Sequence, residues 1–135
     1  TTQATIMDLL AELGRDTGLA TLLITHDLAL ASQYADRIAV MHAGQVVETA
    51  PTASLFDKPR HPYTAGLMAA TPTSTTALEA LESVPGRIPP LNADLPVCRF
   101  AERCPRRVAE CDDPGPRFDA EANAPDHYFA CRRPL

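Results

Sequence analysis

Several absences narrow what this chain can be. No apolar run approaches the roughly 20 residues that a helix needs to span a bilayer. There is no surplus of positive charge: 12 Lys and Arg stand against 17 Asp and Glu, for a net −5 and a pI near 5.2. That balance argues against a nucleic-acid binder driven by backbone electrostatics. The opening "TTQATIMDLLAELGRDTG" has no charged leader followed by an apolar stretch, so no secretory signal is expected. It also does not begin with methionine, and the expectation is a piece of a longer protein. Cysteine is missing before Cys98 and proline before Pro51, while nine of the thirteen prolines fall at or after Pro85. No internal repeat is present.

What remains is 135 residues, 45% of them hydrophobic, enough for one ordinary core. The first half alternates helix and strand patterns. Ile6, Leu9, Leu10 and Leu13 recur at helical spacing, and Gly18 is placed to stop that helix. "ATLLIT", residues 20–25, reads as a short strand apolar on both faces, as in a covered parallel sheet. Asp27 can cap a following helix, "LALASQYA". "RIAVMH" and "QVVETA" read as two strands joined by a tight turn at Ala43-Gly44. Pro51 suits the first turn of a helix "PTASLFD", and Pro62 starts another in "HPYTAGLMAA". The polar stretch around Thr71 to Thr76 reads as a connector with a short helix after it. Helix–strand–helix–strand is an α/β signature. Yet a buried strand at 20–25 needs a parallel neighbour on each side, and none is evident, which again suggests a fragment.

His26 stands at the carboxyl end of that strand. Ligands of open α/β sheets bind outside the carboxyl ends of the strands. A neutral imidazole there donates one hydrogen bond and accepts another, so it can touch a phosphate oxygen and a water together. The alternative is a histidine satisfied by backbone groups. Asp27 reads as a helix cap, and His42, beside the hairpin turn, as solvent-facing.

"TLLITHDLALASQYADRIAVMHAGQVVETAP" resembles the end of the ATP-binding subunit of ABC transporters, where a strand ending in histidine is the switch (H-loop) motif. "ADRIAVMHAGQVVETAP" is similar to the strand pair that follows it, and "TTQATIMDLL" to the helix after the D-loop. "HPYT" at His61 to Thr64, then "VPGRIPPL" from Val84 and a cysteine-bearing tail, resembles the dipeptide/oligopeptide importer branch. The resemblance implies that His26 contacts the γ-phosphate of ATP and the attacking water, as the catalytic residue this chain supplies to in-line phosphoryl transfer. It implies ATP and Mg as cofactors of the full-length protein. The implied partners are a second ATPase subunit, identical or homologous, the transmembrane permease subunits and, indirectly, a substrate-binding protein, with no nucleic acid. The implied location is the cytoplasmic face of the cell membrane, held peripherally. The phosphate loop G-x-x-x-x-G-K-[ST], the LSGGQ-type signature and the glutamate after the Walker B strand do not occur here. These 135 residues alone are therefore expected to be inactive toward ATP. For His61 to Thr64 the preferred reading is a helix start, with Pro62 presetting the turn and Tyr63 packing on the preceding helix.

Cys98, Cys104, Cys111 and Cys131 follow the spacing C-x5-C-x6-C-x19-C. This is neither the paired C-x2-C of zinc ribbons nor a ferredoxin run, so spacing does not name the ligand. Three thiols lie close in sequence and a fourth returns from a distance, which can close a loop around one ion or cluster. Disulfides, zinc and an iron–sulfur cluster all remain open on chemistry. The tail of the peptide-importer subunits carries a similar "C-x-F-x-x-R-C-P" pattern. That resemblance implies a [4Fe-4S] cluster on these four cysteines, with zinc as the alternative. Seven arginines balance seven acids from Cys98 onward. Nearby arginines would offset the net charge of about −2 on a four-thiolate [4Fe-4S] centre. Few large apolar residues populate this tail, and such thin modules commonly depend on a metal. The site is expected to be structural.

The expected architecture is thus α/β: a partial ABC-type nucleotide-binding domain, with a parallel-sheet remnant and a hairpin, then a small loop-rich four-cysteine module. The expected divisions are residues 1–71, a linker at 72–97, and 98–135. Three functions compete: an energy-coupling piece of a peptide importer, a free-standing zinc or iron–sulfur binding module with a redox or interaction role, and a hydrolase using His26 and Asp27 directly. The last lacks a nucleophile or metal set beside those two residues.

Overall fold

A β-hairpin organises most of the chain. In the computed structural model, which describes residues 2–71, 84, 86–90, 92–114, 118–121 and 124–135, β1 (Arg37–His42) pairs antiparallel with β2 (Gln45–Pro51). Ala43 and Gly44 make the two-residue turn with φ of 47° and 77°, the left-handed pair that matches strand twist. Gly44 is needed twice over. Its φ disfavours a side chain, and an added Cβ would meet the Arg99 guanidinium at 3.0 Å. That guanidinium donates to the Ala43 carbonyl. Gly44→Ala is expected to cost about 1–2 kcal/mol, read as a lowered urea midpoint with an unchanged slope.

The register between the strands slips once. Val40 faces Glu48, but Met41 faces Val46, so Val47 is an extra residue on β2. Strict alternation would put Val47 and Glu48 on opposite faces. The bulge lets both be buried, at 2% and 0% exposure.

The sheet has four strands in the order β1-β2-β4-β3, with β3 at Asp119–Glu121 and β4 at Ala124–Phe129. β4 pairs antiparallel with β2 through Glu48↔Phe129 and Thr49↔Tyr128, and β3 pairs antiparallel with β4. No parallel pair occurs among the described residues, so the expected parallel-sheet remnant gives way to an antiparallel sheet. Pro51 ends β2 rather than starting a helix, and α3 spans Thr52–Asp57. α4 spans Pro62–Ala69, with Pro62 in its first turn as its fixed φ favours. Leu55 of α3, Val47, Ile38 and Val40 of the hairpin, and Phe100, Ala101 and Phe129 form the core.

The chain divides into two compact units, Thr1–Asp36 and Arg37–Leu135, whereas the sequence suggested divisions at 71 and 97. Residues 72–83, 85 and 91 of the suggested linker, with its short helix, lie outside the described residues.

In the first unit α1 covers Thr2–Thr17 and stops at Gly18, whose φ is 71° and whose N–H bonds the Gly14 carbonyl. α2 spans Leu28–Tyr34, and Asp27 caps it by accepting from the Leu30 N–H at 2.9 Å. Tyr34 Oη donates to Asp8 of α1 at 2.8 Å. The expected strand at 20–25 does not form: no described segment pairs with it, and Leu22 and Ile24 are 88% and 90% exposed. Among the described residues its backbone groups find no ladder, and its two apolar faces find no cover.

Candidate functional site

The bulge in β2 aims Glu48 into the core, where its carboxylate joins three pieces of chain. Oε1 accepts from the Arg60 N–H and meets His127 Nε2, each at 2.6 Å, and Oε2 accepts from the His61 N–H at 2.9 Å. Arg60 and His61 lead into α4, and His127 stands on β4. All three contacts are needed, since a fully buried carboxylate without partners would be strongly disfavoured. Glu48 thereby fixes where α4 begins and where β4 runs.

His61 is itself the cap of α4: its Nδ1 accepts from the Tyr63 N–H at 3.1 Å. Burial pushes its pKa down to about 4, against the pull of Glu48 and with help from His42. The ring is 2% exposed and lies 5.9 Å from Phe100. His42 is also buried, at 2%, tilted against Tyr63 (4.4 Å) and edge-on to Phe100 (5.4 Å). The expectation of a solvent-facing His42 is corrected: it is the last inward residue of β1, under an aromatic lid. Burial lowers its pKa as well. Tyr63 packs on His42 and Phe100.

Phe100 lies between Cys98 and Cys104, so this aromatic cluster anchors the cysteine segment. The chain there winds in successive three-residue turns. Ala101 N–H bonds the Cys98 carbonyl, Cys104 N–H the Ala101 carbonyl, Arg107 N–H the Cys104 carbonyl and Cys111 N–H the Val108 carbonyl. Cys131 arrives from β4: the Ala130 N–H donates to the carbonyl of the bulged Val47 at 2.8 Å. Several arginines that could have been a solvated face instead pin backbone carbonyls. Arg103 donates to Val84 and Arg106 to Pro134, each at 3.2 Å.

All four cysteines line one cavity, together with His61, Phe100, Arg106 and the Arg132-Arg133 pair. None is in a disulfide. The cavity has about 10 Å³, room for about one water. Among the described residues no three His, Cys, Asp or Glu side chains converge closely enough to hold an ion. The four thiols share the wall of one small cavity. Burial raises the Cys104 thiol and pushes Cys131 up to about 11. The Arg106 and Arg133 backbone N–H groups oppose this by bonding the two sulfurs. As long as no cation is present, both thiols are neutral at pH 7; a bound metal reverses that. The donor chemistry fits a group that takes four thiolates.

His26 belongs to the other unit. Its ring is exposed, directly before the Asp27 cap, and no strand ends on it. It does not share a described site with the cysteines. Glu48, His61 and His127, whose buried contacts form a strut between β2, the start of α4 and β4, were not picked out as site residues by sequence; the doubled valine at Val46-Val47, breaking strand alternation, was the available signal for the first.

Residues 47–111, from the bulge to the third cysteine, match the family described as oligopeptide/dipeptide transporter, C-terminal region. A peptide import ATP-binding protein of Brucella abortus is 47% identical over 116 residues, covering 86% of this chain and 35% of that protein. The peptide transport system ATP-binding protein SapD of Escherichia coli O157:H7 is 43% identical over 139 aligned residues, covering all of this chain and 41% of that protein. SapD of Salmonella typhimurium matches to the same extent. The chain thus spans about two fifths or less of the length of these relatives.

Proposed function

Because the chain belongs to the oligopeptide/dipeptide transporter family through its C-terminal region, we propose that it is the C-terminal part of an ATP-binding subunit. That subunit would couple ATP hydrolysis to peptide import. The observation that carries this reading is the 43–47% identity to proteins named as ATP-binding proteins of peptide import or peptide transport.

In this reading ATP and Mg bind the full-length protein, a second ATPase subunit completes the motor, and permease subunits receive the work at the cytoplasmic face of the membrane. A substrate-binding protein outside delivers the peptide. His26 would take a hydrogen bond to the terminal phosphate and help hold the attacking water. Its exposed ring, engaged by no described group, is free to do so. In the complete transporter, His26→Ala is expected to lower ATP turnover strongly while leaving the fold intact. Near-normal turnover would remove His26 from the reaction.

Cys98, Cys104, Cys111 and Cys131 would hold a [4Fe-4S] cluster. When bound it supplies four metal–thiolate links that tie the coiled cysteine segment to the end of β4. The similarity of the C-x-F-x-x-R-C-P stretch to the tail of peptide-importer subunits supports the cluster, with zinc as the alternative. Arg106, Arg132 and Arg133 at the cavity wall suit the cluster's negative charge. Anaerobic purification followed by metal and sulfide analysis is expected to give about four iron and four sulfide per chain. One zinc without iron would overturn the cluster.

A further inference from the structure

Residues 131–135 run along the cysteine cavity and are tied down beyond it at two points. Cys131, Arg132 and Arg133 line that cavity. Past them, the Pro134 carbonyl accepts from Arg106 Nη2 at 3.2 Å. Leu135 meets Arg60 twice: its N–H donates to the Arg60 carbonyl at 3.0 Å, and its carbonyl accepts from the Arg60 guanidinium. Arg132 and Arg133 also border a second, open hollow of about 350 Å³, together with Val108, Glu110 and Asp113. Both spaces share these two arginines, which therefore form a wall between the small inner cavity and the outer hollow. We infer that residues 132–135 are a strap over the cysteine cavity, latched by Arg60 and Arg106, whose opening limits how fast a group held by the thiols is lost. Retention of that group rests on the proposed four-thiolate site; the cover itself does not.

The latch is built on fixed parts. Glu48 Oε1 holds the Arg60 N–H at 2.6 Å, within the buried strut. The Arg60 guanidinium lies over the Phe129 ring of β4, 5.6 Å from its centroid. Before the strap begins, the Ala130 N–H donates to the Val47 carbonyl at 2.8 Å. The sheet thus anchors the strap at its start, and Arg60 anchors it at its end. Between these points it buries little: Arg133 is exposed, and Leu135 is 39% exposed. A segment held by a few hydrogen bonds and little apolar burial opens far more readily than the core. Cys111, buried at 7%, lines the inner cavity, while Glu110 and Asp113 near it in sequence line the outer hollow. Lifting the strap joins the two spaces and brings solvent to Cys111.

Arg60 and Leu135 do not line the cavity, so changes there test the strap rather than the cavity wall. Arg60→Met removes the guanidinium donor and keeps an apolar cover for Phe129. Leu135→Pro removes the N–H, and Arg60→Lys keeps a charged donor. The full-length subunit is purified anaerobically, and iron loss to EDTA and amide exchange are measured. After the metal is stripped, alkylation of Cys111 by N-ethylmaleimide is followed. Arg60→Met and Leu135→Pro are each expected to lose iron and to alkylate Cys111 about tenfold faster than wild type, as the loss of one hydrogen bond allows. Arg60→Lys should stay close to wild type. Exchange at residues 131–135 should rise in the first two variants while β1 and β2 exchange as in wild type. Wild-type rates in both variants, or exchange in β1 and β2 that rises in step, would overturn the strap and leave the thiolate site standing. Wild type purified without iron, sulfide or zinc would instead defeat the thiolate site, and Cys111 alkylation still decides the cover. If neither variant folds, wild type decides. Iron loss that levels off as EDTA is raised supports release through an opening step; loss proportional to EDTA throughout rejects it.

Discussion

Replacing Glu48 by alanine is expected to destabilise the folded chain by about 3–5 kcal/mol. The carboxylate has no exposure and accepts three hydrogen bonds, from the Arg60 N–H, the His61 N–H and His127 Nε2. Each buried donor left without a partner costs about 1–3 kcal/mol, and the vacated side chain leaves a void besides. The contributions do not simply add, because the start of α4 and β4 can relax together. Glu48→Gln isolates the chemistry from the volume. Its oxygen can serve one side of the site, but its NH₂ group must then face an N–H donor on the other. A loss of about 1–3 kcal/mol is expected for Gln, smaller than for Ala and still clear in urea denaturation. His127→Ala removes only one partner, so the double variant Glu48→Ala, His127→Ala should cost less than the sum of the two. Strict additivity would show that the 2.6 Å contact carries no coupling.

Glu48 also marks the limit of what was legible in the sequence. Local features were read correctly because neighbouring residues decide them. The Ala43-Gly44 turn, the Asp27 cap, the stop at Gly18 and the start of α4 at Pro62 are each fixed within a few residues. The strand at 20–25 was misread because its apolar pattern describes a covered segment, while no described part of this chain pairs with it. The parallel sheet fell with it. His42 was misread because its polarity suggested solvent, and only the aromatic cover from Tyr63 and Phe100 makes burial tolerable. Cysteine spacing foretold three thiols close together and a fourth returning. It did not foretell that Cys131 returns just past the end of a strand of the hairpin's own sheet, because that needs β2 and β4 to pair across about 80 residues. The strut was invisible for the same reason. Its acid, its two backbone donors and its histidine come from three stretches that only tertiary pairing assembles.

The stability of the whole chain is expected to fall as the pH drops from 6.5 toward 4, and His61 supplies the main identified reason. In the unfolded chain a histidine titrates near 6.5; in the folded chain His61 titrates at about 4. Between those values the unfolded state binds a proton that the folded state refuses, so unfolding is favoured by acid. The stability at issue is fully present above 6.5 and is lost as pH falls through the folded value. The full difference corresponds to about 3 kcal/mol, of which about 2 is already lost at pH 5. Burial is the leading cause, and His42 across the cluster acts in the same sense, while Glu48 opposes both. His42, lowered by its own burial, adds to the same trend. Urea midpoints at pH 7.5, 6, 5 and 4.5 check this when wild type is compared with His61→Asn. The variant keeps the cap of α4 and loses the titrating ring, so its curve should be flatter by the His61 share and retain only a residual slope from groups such as His42. Parallel curves for the two proteins would mean that the folded chain admits the proton on His61 as readily as water does, and the buried, neutral imidazole at the start of α4 would have to be given up.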